Sequence, residues 1–420
     1  MTNVIDTLQK RGFIDRKTDE NLAKILNESV TCYVGFDPTS DSLHLGNLVG
    51  IIALYWLKKF NHKAIALVGG ATARIGDPSG KSLERPFLDD SIILHNAAKI
   101  EKFLKKVLGN DVEFVNNNDW FSKILFTDFL RDVGKQFRIG PMLSKESVKL
   151  RMQSEEGMSF TEFSYQILQG YDYYYLNEHK NVTLQMGGSD QWGNITAGIE
   201  LVRKMSKKPV YGFTFPLLTR SDGKKFGKTE DGAIWLDEDK LSSYQFYQYL
   251  IRVPDQDVIK LLKMLTFLDL EKILEIENDM AKSTYIPNTA QKILAEEVTK
   301  FVHEKEGLEK ALKVTDGLKP GSDAVLDVDI LKEISNDMPK FDLTINEILG
   351  NKFSEISFKI NLTTSKSEAV KLIKNGGAYL NNKKVTDPNY LINESDIIGK
   401  KFLLFSSGKK KKILIEIFSK

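Results

Sequence analysis

Cysteine is almost absent from this sequence, which contains only Cys32 among its 420 residues. A single thiol cannot form a disulfide within the chain and excludes a cysteine-based zinc site. Long hydrophobic runs are also lacking, because apolar stretches such as Ile65 to Val68 are far shorter than the roughly 20 residues that span a bilayer. The N-terminal stretch MTNVIDTLQKRGFIDRKTDE has no apolar segment and carries acidic residues early, so it predicts no signal peptide. We therefore expect a cytoplasmic protein without a membrane anchor.

Net charge is small as well, at +2 for the whole chain, but it is unevenly distributed. From Asn351 to Lys420 there are fourteen lysines, no arginine and six acidic residues, a net charge of +8. Subtracting +8 from +2 leaves −6 on the first 350 residues. A basic C-terminal segment indicates a polyanionic partner, although charge alone is equally consistent with a solvated lysine-rich face.

The first part of the sequence alternates apolar strands with an amphipathic helix. VTCYVGF (30–36) and KAIALVGG (63–70) have the composition of buried strands, and LHLGNLVGIIALYWLKKF between them has helical spacing. VEFVNN and VTLQMGG are further strand candidates downstream. This order predicts an α/β fold with a Rossmann-like, doubly wound parallel sheet. Ligands of such sheets bind beyond the carboxyl ends of the strands, where the glycine-rich and polar clusters of this sequence fall.

The pattern changes after about Glu230. Apolar residues recur at helical spacing in SSYQFYQYLI, DVIKLLKMLTFL, DLEKILEIENDMA and AQKILAEEVTKFV, which predicts an all-α region. KPGSD (319–323) predicts a loop, and the basic segment predicts a helix in SKSEAVKLIKNGG and strands in AYLNNKKV, KFLLF and KKILIEIF. A chain of this length is expected to form two or three domains. The predicted divisions are an α/β domain (1–229), an all-α domain (230–320), a linker (321–351) and a small α+β domain (352–420).

The stretch GDPSGKS (76–82) raises the question of a phosphate-binding loop. The Walker A pattern requires four residues between its first glycine and Gly-Lys-Ser/Thr, but Gly76 and Gly80 enclose only three. Ile75 occupies the position of the first glycine, and Pro78 lacks a backbone N–H that a phosphate cradle would use. A Walker loop is therefore the less favoured interpretation, although the composition still indicates a phosphate nearby.

Two lysine-containing strings are candidates for a mobile loop over phosphates. RKMSKKP (203–209) continues the helical stretch ITAGIELVRKM, so its basic residues are typical of a helix C-terminus followed by a proline stop. SDGKKFGKTEDG (221–232) interleaves lysines with glycines, which give a lid loop its mobility. We favour the second string. HLGN (44–47) begins the first predicted helix, where backbone donors bind anions, but alone it is better explained as a helix cap.

The strand followed by DPTSDSLHLGN, then GGSDQWGN (187–194), then KKFGKT, resembles the tyrosyl-tRNA synthetases of bacterial type. These are class I aminoacyl-tRNA synthetases, whose signatures are written HIGH and KMSKS; the second commonly appears in this family as KFGKS or KFGKT. The resemblance covers nearly the whole chain. It assigns the second signature to KKFGKT, so the KMSK string at Lys204 is a chance match. Asn47 departs from the signature, which has a histidine there; asparagine still donates a hydrogen bond but carries no charge.

The resemblance implies a reaction that depends on positioning and charge stabilisation rather than on an enzyme nucleophile. The carboxylate of L-tyrosine attacks the α-phosphate of ATP and expels pyrophosphate, and a terminal hydroxyl of the tRNA then attacks the tyrosyl-adenylate. Mg²⁺ would arrive with ATP, and neither a protein metal site nor a permanently bound cofactor is expected. The residues implied to act on the phosphates are Thr39, His44, Asn47, Lys81, Arg85, Lys225, Lys228 and Thr229. The residues implied to bind ATP are Gly35, Asp37, His44, Gly46, Asn47, Gly188, Asp190 and Lys228.

For tyrosine, the resemblance places Tyr33 and Asp172 at the phenol, and Asp77, Tyr165 and Gln169 at the ammonium group. Tyr165, Gln169 and Asp172 recur at i, i+4 and i+7, so they share one face of a helix. Leaving a buried Asp172 unpaired is costly, and phenylalanine is therefore disfavoured. The remaining implied tyrosine contacts are Asn117, Gln185 and Gln191.

The resemblance also implies partners beyond the small substrates. The basic tail is similar to a small RNA-binding fold shared with a ribosomal protein and would hold the variable arm of the tRNA, while the helical domain would contact the anticodon. The family is a homodimer, formed through an insertion in the catalytic domain. Two alternatives stay open at this point: a non-catalytic RNA-binding protein on the same scaffold, and a tryptophanyl-tRNA synthetase. Intact donor residues disfavour the first, and Tyr33, Asp172 and the basic tail disfavour the second.

Overall fold

A computed structural model of the chain describes residues 3–80, 86–153, 157–229, 232–321, 326–335, 338–408 and 411–418. Two compact units are present, the first comprising Met1–Leu241 with Leu250–Val298 and the second Ser242–Tyr249 with Thr299–Lys420. Among the helices that the structure describes, none has the length and apolar character needed to cross a bilayer. The predicted site residues Lys81 and Arg85 lie outside the described residues, as does the side chain of Thr229.

The first unit contains a six-stranded sheet in the order β1-β6-β5-β2-β3-β4. All neighbouring strands are parallel except β1, which pairs antiparallel with β6 at the edge. The predicted α/β fold is confirmed, and the four strand candidates of the sequence correspond to β2, β3, β4 and β5. The strands are β1 (Arg16–Lys17), β2 (Thr31–Phe36), β3 (Lys63–Val68), β4 (Glu113–Asn116), β5 (Val182–Gly188) and β6 (Tyr211–Phe215), followed by the hairpin β7 (Lys228–Thr229) and β8 (Gly232–Ala233).

Helices connect these strands. Up to β6 they are α1 (Val4–Lys10), α2 (Leu22–Ile25), α3 (Leu45–Lys59), α4 (Asp90–Leu108), α5 (Asn118–Phe121), α6 (Phe126–Asp132), α7 (Ile139–Leu143), α8 (Glu146–Met152), α9 (Phe160–Lys180) and α10 (Trp192–Met205). Helix α3 ends before Asn61, which has a left-handed φ of 63°, a conformation that asparagine tolerates. Helices α9 and α10 pack closely through glycines, because a Cβ built on Gly170 would lie 3.6 Å from Gly198.

The four helices predicted after about residue 230 are confirmed. They are α11 (Ser243–Ile251), α12 (Asp255–Leu265), α13 (Leu270–Met280) and α14 (Thr289–Gly317), the last with a non-helical φ at Glu304. Arg11 joins the end of α12 to the N-terminal region, since its guanidinium donates to the carbonyls of Lys263 and Thr266 at 3.0 and 2.9 Å. The same guanidinium lies 4.5 Å from the ring centroid of Trp56, and burial lowers the pKa of Arg11 to about 10.

The second unit contains a five-stranded sheet in the order β11-β10-β12-β13-β9. Its core includes Phe353 and Phe405, whose rings stack with centroids 4.8 Å apart. The helix predicted in SKSEAVKLIKNGG and the strands predicted in KFLLF and KKILIEIF are confirmed, whereas AYLNNKKV, predicted as one strand, forms an antiparallel hairpin that turns at Asn381 and Asn382. The elements are α15 (Val328–Ile334), β9 (Lys340–Thr344), α16 (Phe353–Lys359), α17 (Lys366–Lys374), β10 (Ala378–Leu380), β11 (Lys383–Lys384), β12 (Phe402–Ser407) and β13 (Lys411–Phe418).

The prediction of a linker at 321–351 must be corrected. This stretch contains α15 and β9, and β9 pairs in parallel with β13 from Lys340↔Leu414 to Thr344↔Phe418. The strand therefore belongs to the sheet of the C-terminal domain, and the predicted boundary at 352 falls inside that domain. The sequence pattern is weak here because KFDLT alternates only partly, with Leu343 buried and its neighbours more exposed.

Candidate active site

A cavity of about 540 Å³ lies at the carboxyl ends of the parallel strands in the first unit. Its lining includes residues at or just after the ends of β2, β3, β5 and β6, as the strand-end rule predicts. Most of the candidate site residues meet here. Those that line the cavity are Tyr33, Gly35, Asp37, Thr39, His44, Gly46, Asn47, Asp77, Tyr165, Gln169, Asp172, Gln185, Gly188, Asp190, Gln191, Lys225 and Lys228.

One end of the cavity contains a buried carboxylate, Asp172, on α9. Only 2% of this residue is exposed, and burial raises the pKa of its carboxyl group well above the usual value. Asn117 Nδ2 donates to Oδ2 at 3.1 Å, and Trp120 Nε1 donates to Oδ1 at 3.0 Å. These two hydrogen bonds favour the charged form and lower the pKa in part. Asn117 thus contacts Asp172 but does not itself line the cavity.

Two polar atoms near this carboxylate lack partners. The hydroxyl of Tyr33 and Oε1 of Gln185 are buried, and neither has a hydrogen-bond partner among the described residues. Burial raises the pKa of Tyr33, and the negative charge of Asp172 raises it further. Buried polar groups are normally paired, so unpaired groups that line a cavity indicate a polar ligand.

A second set of carboxylates, those of Asp37, Asp77 and Asp190, lines the middle of the cavity. Asp77 accepts a hydrogen bond of 2.6 Å from Gln191 Nε2 and one of 3.0 Å from the backbone N–H of Ser79. Asp37 accepts from the hydroxyl of Tyr165 at 2.7 Å. Burial raises the pKa of Asp190, and the charge of Asp77 raises it further. Several acidic side chains in one partly buried space favour the binding of a cation.

The N-terminus of α3 forms the opposite wall with HLGN. The Nδ1 atom of His44 accepts from the backbone N–H of Gly46 at 3.1 Å, and Oδ1 of Asn47 accepts from the backbone N–H of His44 at 3.0 Å. This reciprocal pair is a capping box. A Cβ at Gly46 would lie 3.0 Å from the His44 ring, so glycine permits the close approach. Asn47 uses its amide oxygen in the cap, which leaves the amide nitrogen as the donor for a ligand.

The loop that contains KKFGKT lies against the same helix. Lys225 and Lys228 are exposed, whereas Phe226 and Gly227 are buried between them. Gly227 has a φ of 81°, and a Cβ there would lie 2.9 Å from Leu45 of HLGN. At its start the loop is fixed by Asp257, whose Oδ1 accepts from the backbone N–H of Ser221 at 2.9 Å. The two signature regions are therefore in contact, and both lysines line the cavity.

The competing lysine string has a structural role. Helix α10 ends at Met205, and Lys204 pairs with Glu200 at 3.4 Å and donates to the carbonyl of Gln136 at 2.7 Å. The predicted helix C-terminus is confirmed. Residues 76–80 form a loop that presents Asp77 to the cavity, and no helix begins between Gly76 and Gly80. The described part of this stretch therefore lacks the loop-to-helix geometry of a Walker motif.

Four residues at the site were not singled out from the sequence. Thr72 donates to Oδ1 of Asp37 at 2.7 Å and accepts from Asn117 at 3.0 Å, which links both carboxylate regions. Asn194 lies 3.4 Å from Oδ1 of Asp77 through Nδ2. Trp120 and Asn194 belong to NNNDW and GGSDQWGN, so the motifs contained them without revealing their contacts. The fourth residue is Trp235, which lines the cavity beside His44, its β-bridge partner.

Comparison with known proteins identifies the family. The model for tRNA synthetases class I (W and Y) matches residues 25–318, and that for the Tyrosine--tRNA ligase SYY-like C-terminal domain matches residues 330–415. The chain is 53% identical over 422 residues to the Tyrosine--tRNA ligase of Protochlamydia amoebophila (strain UWE25), covering 99% of both chains. It is 48% identical over 427 residues to the chloroplastic/mitochondrial Tyrosine--tRNA ligase of Arabidopsis thaliana, covering 99% of this chain and 84% of the relative.

A solved structure agrees with these matches. The C-terminally truncated mitochondrial tyrosyl-tRNA synthetase of Aspergillus nidulans superposes with a TM-score of 0.68 at 32% identity, over 74% of this chain and 92% of that one. The fold and the matched regions define a class I tRNA synthetase of the tryptophan and tyrosine group. Within that group the chain belongs to the tyrosine–tRNA ligase family, whose members are enzymes that join tyrosine to tRNA. The resemblance drawn from the motifs is confirmed.

Proposed function

We propose that this cavity catalyses both steps of tyrosine attachment, formation of tyrosyl-adenylate and transfer of the tyrosyl group to tRNA. The observation that carries this proposal is that the cavity lining contains both the buried carboxylate of Asp172 and the hydroxyl of Tyr33, which has no hydrogen-bond partner among the described residues. A phenol bound between them would donate to Asp172 and accept from Tyr33, which satisfies the orphaned hydroxyl. Phenylalanine would leave the Tyr33 hydroxyl without a partner and would deprive Asp172 of one donor, at a cost of about 1–3 kcal/mol for a buried polar group left unsatisfied.

The ammonium group of tyrosine would bind in the acidic middle of the cavity. Asp77 carries the opposite charge, and Tyr165 and Gln169 supply oxygens on the same face of α9 as Asp172. This spacing lets one helix contact both ends of the amino acid. Gln191, which already holds Asp77, would lie near the reacting carboxylate of the substrate.

The phosphate chemistry would occur between α3 and the lysine loop. A carboxylate oxygen of tyrosine attacks the α-phosphorus of ATP, and the bond from that phosphorus to pyrophosphate breaks. Negative charge that develops on the phosphates would be stabilised by donors on both sides, and Mg²⁺ would enter as part of the nucleotide substrate. These donors are Thr39, His44, Asn47, Lys225 and Lys228, with Thr229, Lys81 and Arg85 as further members. Gly35, Asp37, Gly46, Gly188 and Asp190 would surround the adenosine.

In the second step, a terminal hydroxyl of tRNA attacks the carbonyl carbon of the adenylate, and AMP leaves with the electrons of the broken C–O bond. The adenylate is already activated, so the site must position the hydroxyl rather than supply a nucleophile. The basic C-terminal domain supports the tRNA assignment, because Lys371, Lys374, Lys383 and Lys384 are exposed on α17 and β11. We place the helices α11 to α14 at the anticodon and the reaction in the cytoplasm.

A homodimer is the proposed assembly. The insertion between β4 and β5 exposes a series of large apolar side chains, which monomers rarely leave in water. Phe126 and Phe160 are 67% and 69% exposed. The other members are Leu125, Leu130, Ile139, Leu143, Leu150 and Met152. Burial against the same surface of a second copy would remove this patch from solvent.

The test of this function is ATP–pyrophosphate exchange by the purified chain with Mg²⁺, supplied in turn with tyrosine, tryptophan and phenylalanine. We expect exchange with tyrosine alone and charging of tRNA in a second assay. Exchange with tryptophan instead would favour a tryptophanyl enzyme. Tight tRNA binding by folded protein without any exchange would favour a non-catalytic RNA-binding protein, and either result would contradict the proposal.

A further inference from the structure

The segment that follows the lysine loop is joined to the turn that precedes α3. The backbone N–H of Leu45 donates to the carbonyl of Ile234 at 2.8 Å, and that of Leu236 donates to the carbonyl of Leu43 at 2.9 Å. His44 and Trp235 form a β-bridge between these bonds. The end of the loop is thus paired residue by residue with the turn that carries the first signature.

A lysine makes further contacts between the same two segments. The ammonium group of Lys240 forms an ion pair with Asp41, lies 3.3 Å from the hydroxyl of Ser40 and lies 4.5 Å from the ring centroid of Trp235. The side chains of Lys240 and Asp41 are 29% and 35% exposed. Hydrogen bonding from Lys240 lowers the pKa of Asp41, which keeps the carboxylate charged.

The residues that Lys240 contacts are next to the proposed phosphate-binding groups, but Lys240 itself lies outside the cavity. Ser40 and Trp235 line the cavity, and Thr39 adjoins Ser40 in the chain, whereas Lys240 does not line the cavity. One cation therefore contacts the turn that holds Thr39 and His44, and also the segment in which the lysine loop ends. Displacing either segment by about 1 Å can cost up to about 100-fold in rate.

We propose that Lys240 is a positioning residue, which through Asp41 and Trp235 holds the turn before α3 and the lysine loop in register for reaction with ATP. The inference rests on the proposed function, since it assigns a role within that same site. A partly exposed ion pair contributes little to the stability of the fold. The contribution to catalysis is therefore expected to exceed the contribution to stability.

The chain provides a matched control. Lys58, in the last turn of α3, pairs with Asp111 at 2.6 Å and lies 5.6 Å from the ring centroid of Tyr55. Its side chain is 27% exposed, close to the value for Lys240. Lys58→Met therefore removes a comparable ion pair and a comparable ring contact at the other end of the same helix, away from HLGN.

The experiment compares Lys240→Met, Lys240→Arg and Lys58→Met in tyrosine-dependent pyrophosphate exchange, with the dissociation constant of tyrosine measured by equilibrium dialysis without ATP. We expect Lys240→Met to lower kcat/KM for ATP about 10-fold, while tyrosine affinity and the thermal midpoint stay near those of the wild type. Lys240→Arg should restore most of the rate, since arginine keeps the charge and the ring contact.

Three results would overturn the inference: wild-type kinetics for Lys240→Met, an equal loss for Lys58→Met, or a parallel loss of tyrosine affinity. The first of these leaves the proposed function intact, because the wild-type chain remains active. An inactive wild type would overturn the proposed function and the inference together. The two failures are therefore distinguishable.

Discussion

The indole nitrogen of Trp120 donates a 3.0 Å hydrogen bond to Oδ1 of Asp172, the carboxylate buried at one end of the cavity. This bond favours the charged form of a group whose pKa burial raises. The carboxylate that we propose accepts a hydrogen bond from the substrate phenol thus already accepts one from an indole of the protein. The charge state of Asp172 depends on a residue that does not line the cavity.

Trp120→Phe should therefore change the pH dependence of tyrosine binding. Without the indole donor the pKa of Asp172 rises further, and the carboxylate becomes protonated at a higher pH as the solution is acidified. Affinity for tyrosine should then be lost at a higher pH than in the wild type, measured by equilibrium dialysis across the acid range. Trp56→Phe is the control, because the Nε1 atom of Trp56 has no hydrogen-bond partner among the described residues. An unshifted acid limb for Trp120→Phe would contradict the prediction.

Tyr33→Phe should affect selectivity much more than stability. The hydroxyl of Tyr33 has no hydrogen-bond partner among the described residues, so its removal breaks no described protein hydrogen bond and should change the free energy of unfolding by less than about 1 kcal/mol. In the complex the same hydroxyl would donate to the substrate phenol, so kcat/KM for tyrosine should fall and discrimination against phenylalanine should weaken. Urea unfolding and exchange kinetics measure the two effects. A loss of stability with unchanged selectivity would argue that the hydroxyl has a purely structural role.

Lys228→Ala and Lys207→Ala separate the two lysine strings. Lys228 lines the cavity beside α3, so its loss should slow adenylate formation in single-turnover experiments with little change in tyrosine affinity. Lys207 follows the end of α10 and has a left-handed φ of 56°, and its alanine variant should retain nearly the full rate. If the two variants exchanged behaviours, the assignment of the catalytic loop would be wrong.

Charge reversal in the C-terminal domain should separate RNA capture from chemistry. Lys371→Glu with Lys374→Glu, on α17, should weaken tRNA binding and flatten its dependence on salt by about one unit of slope for each lost phosphate contact. Tyrosine-dependent exchange should not change. Lys180→Glu with Glu113→Lys is the control, since it exchanges the members of a 2.7 Å ion pair in the first unit and preserves net charge. Unaltered tRNA affinity and salt slope after the reversal on α17 would identify its lysines as a solvated face.

Deletion of residues 352–420 would be a less suitable test of RNA capture than these point substitutions. A truncation at residue 352 would remove β13 and leave β9 without its partner strand. The unpaired edge would expose backbone donors and acceptors and favour aggregation. Point substitutions on exposed lysines avoid this defect.

The local sequence determined most of the secondary structure, and the resemblance of its motifs to a known family named most of the residues that meet in the cavity. Strands β2 and β3 are continuous apolar runs, and α12 and α13 have clear helical spacing, because each is buried in a way that its own residues express. The motifs HLGN, GGSDQWGN and KKFGKT also determined the family, since their order and spacing are specific.

The tertiary structure alone decided how these groups act on one another. The pairing of β9 with β13, distant in the chain, is a long-range contact that a short and partly alternating strand does not express. The bonds of Thr72 to Asp37, and of Trp120 to Asp172, likewise join residues 35 and 52 positions apart. Hydrogen bonding and burial depend on which atoms the fold brings within about 3 Å, and periodicity reports only which face of an element is apolar. The charge states and orphaned groups of the cavity therefore follow from the packed structure.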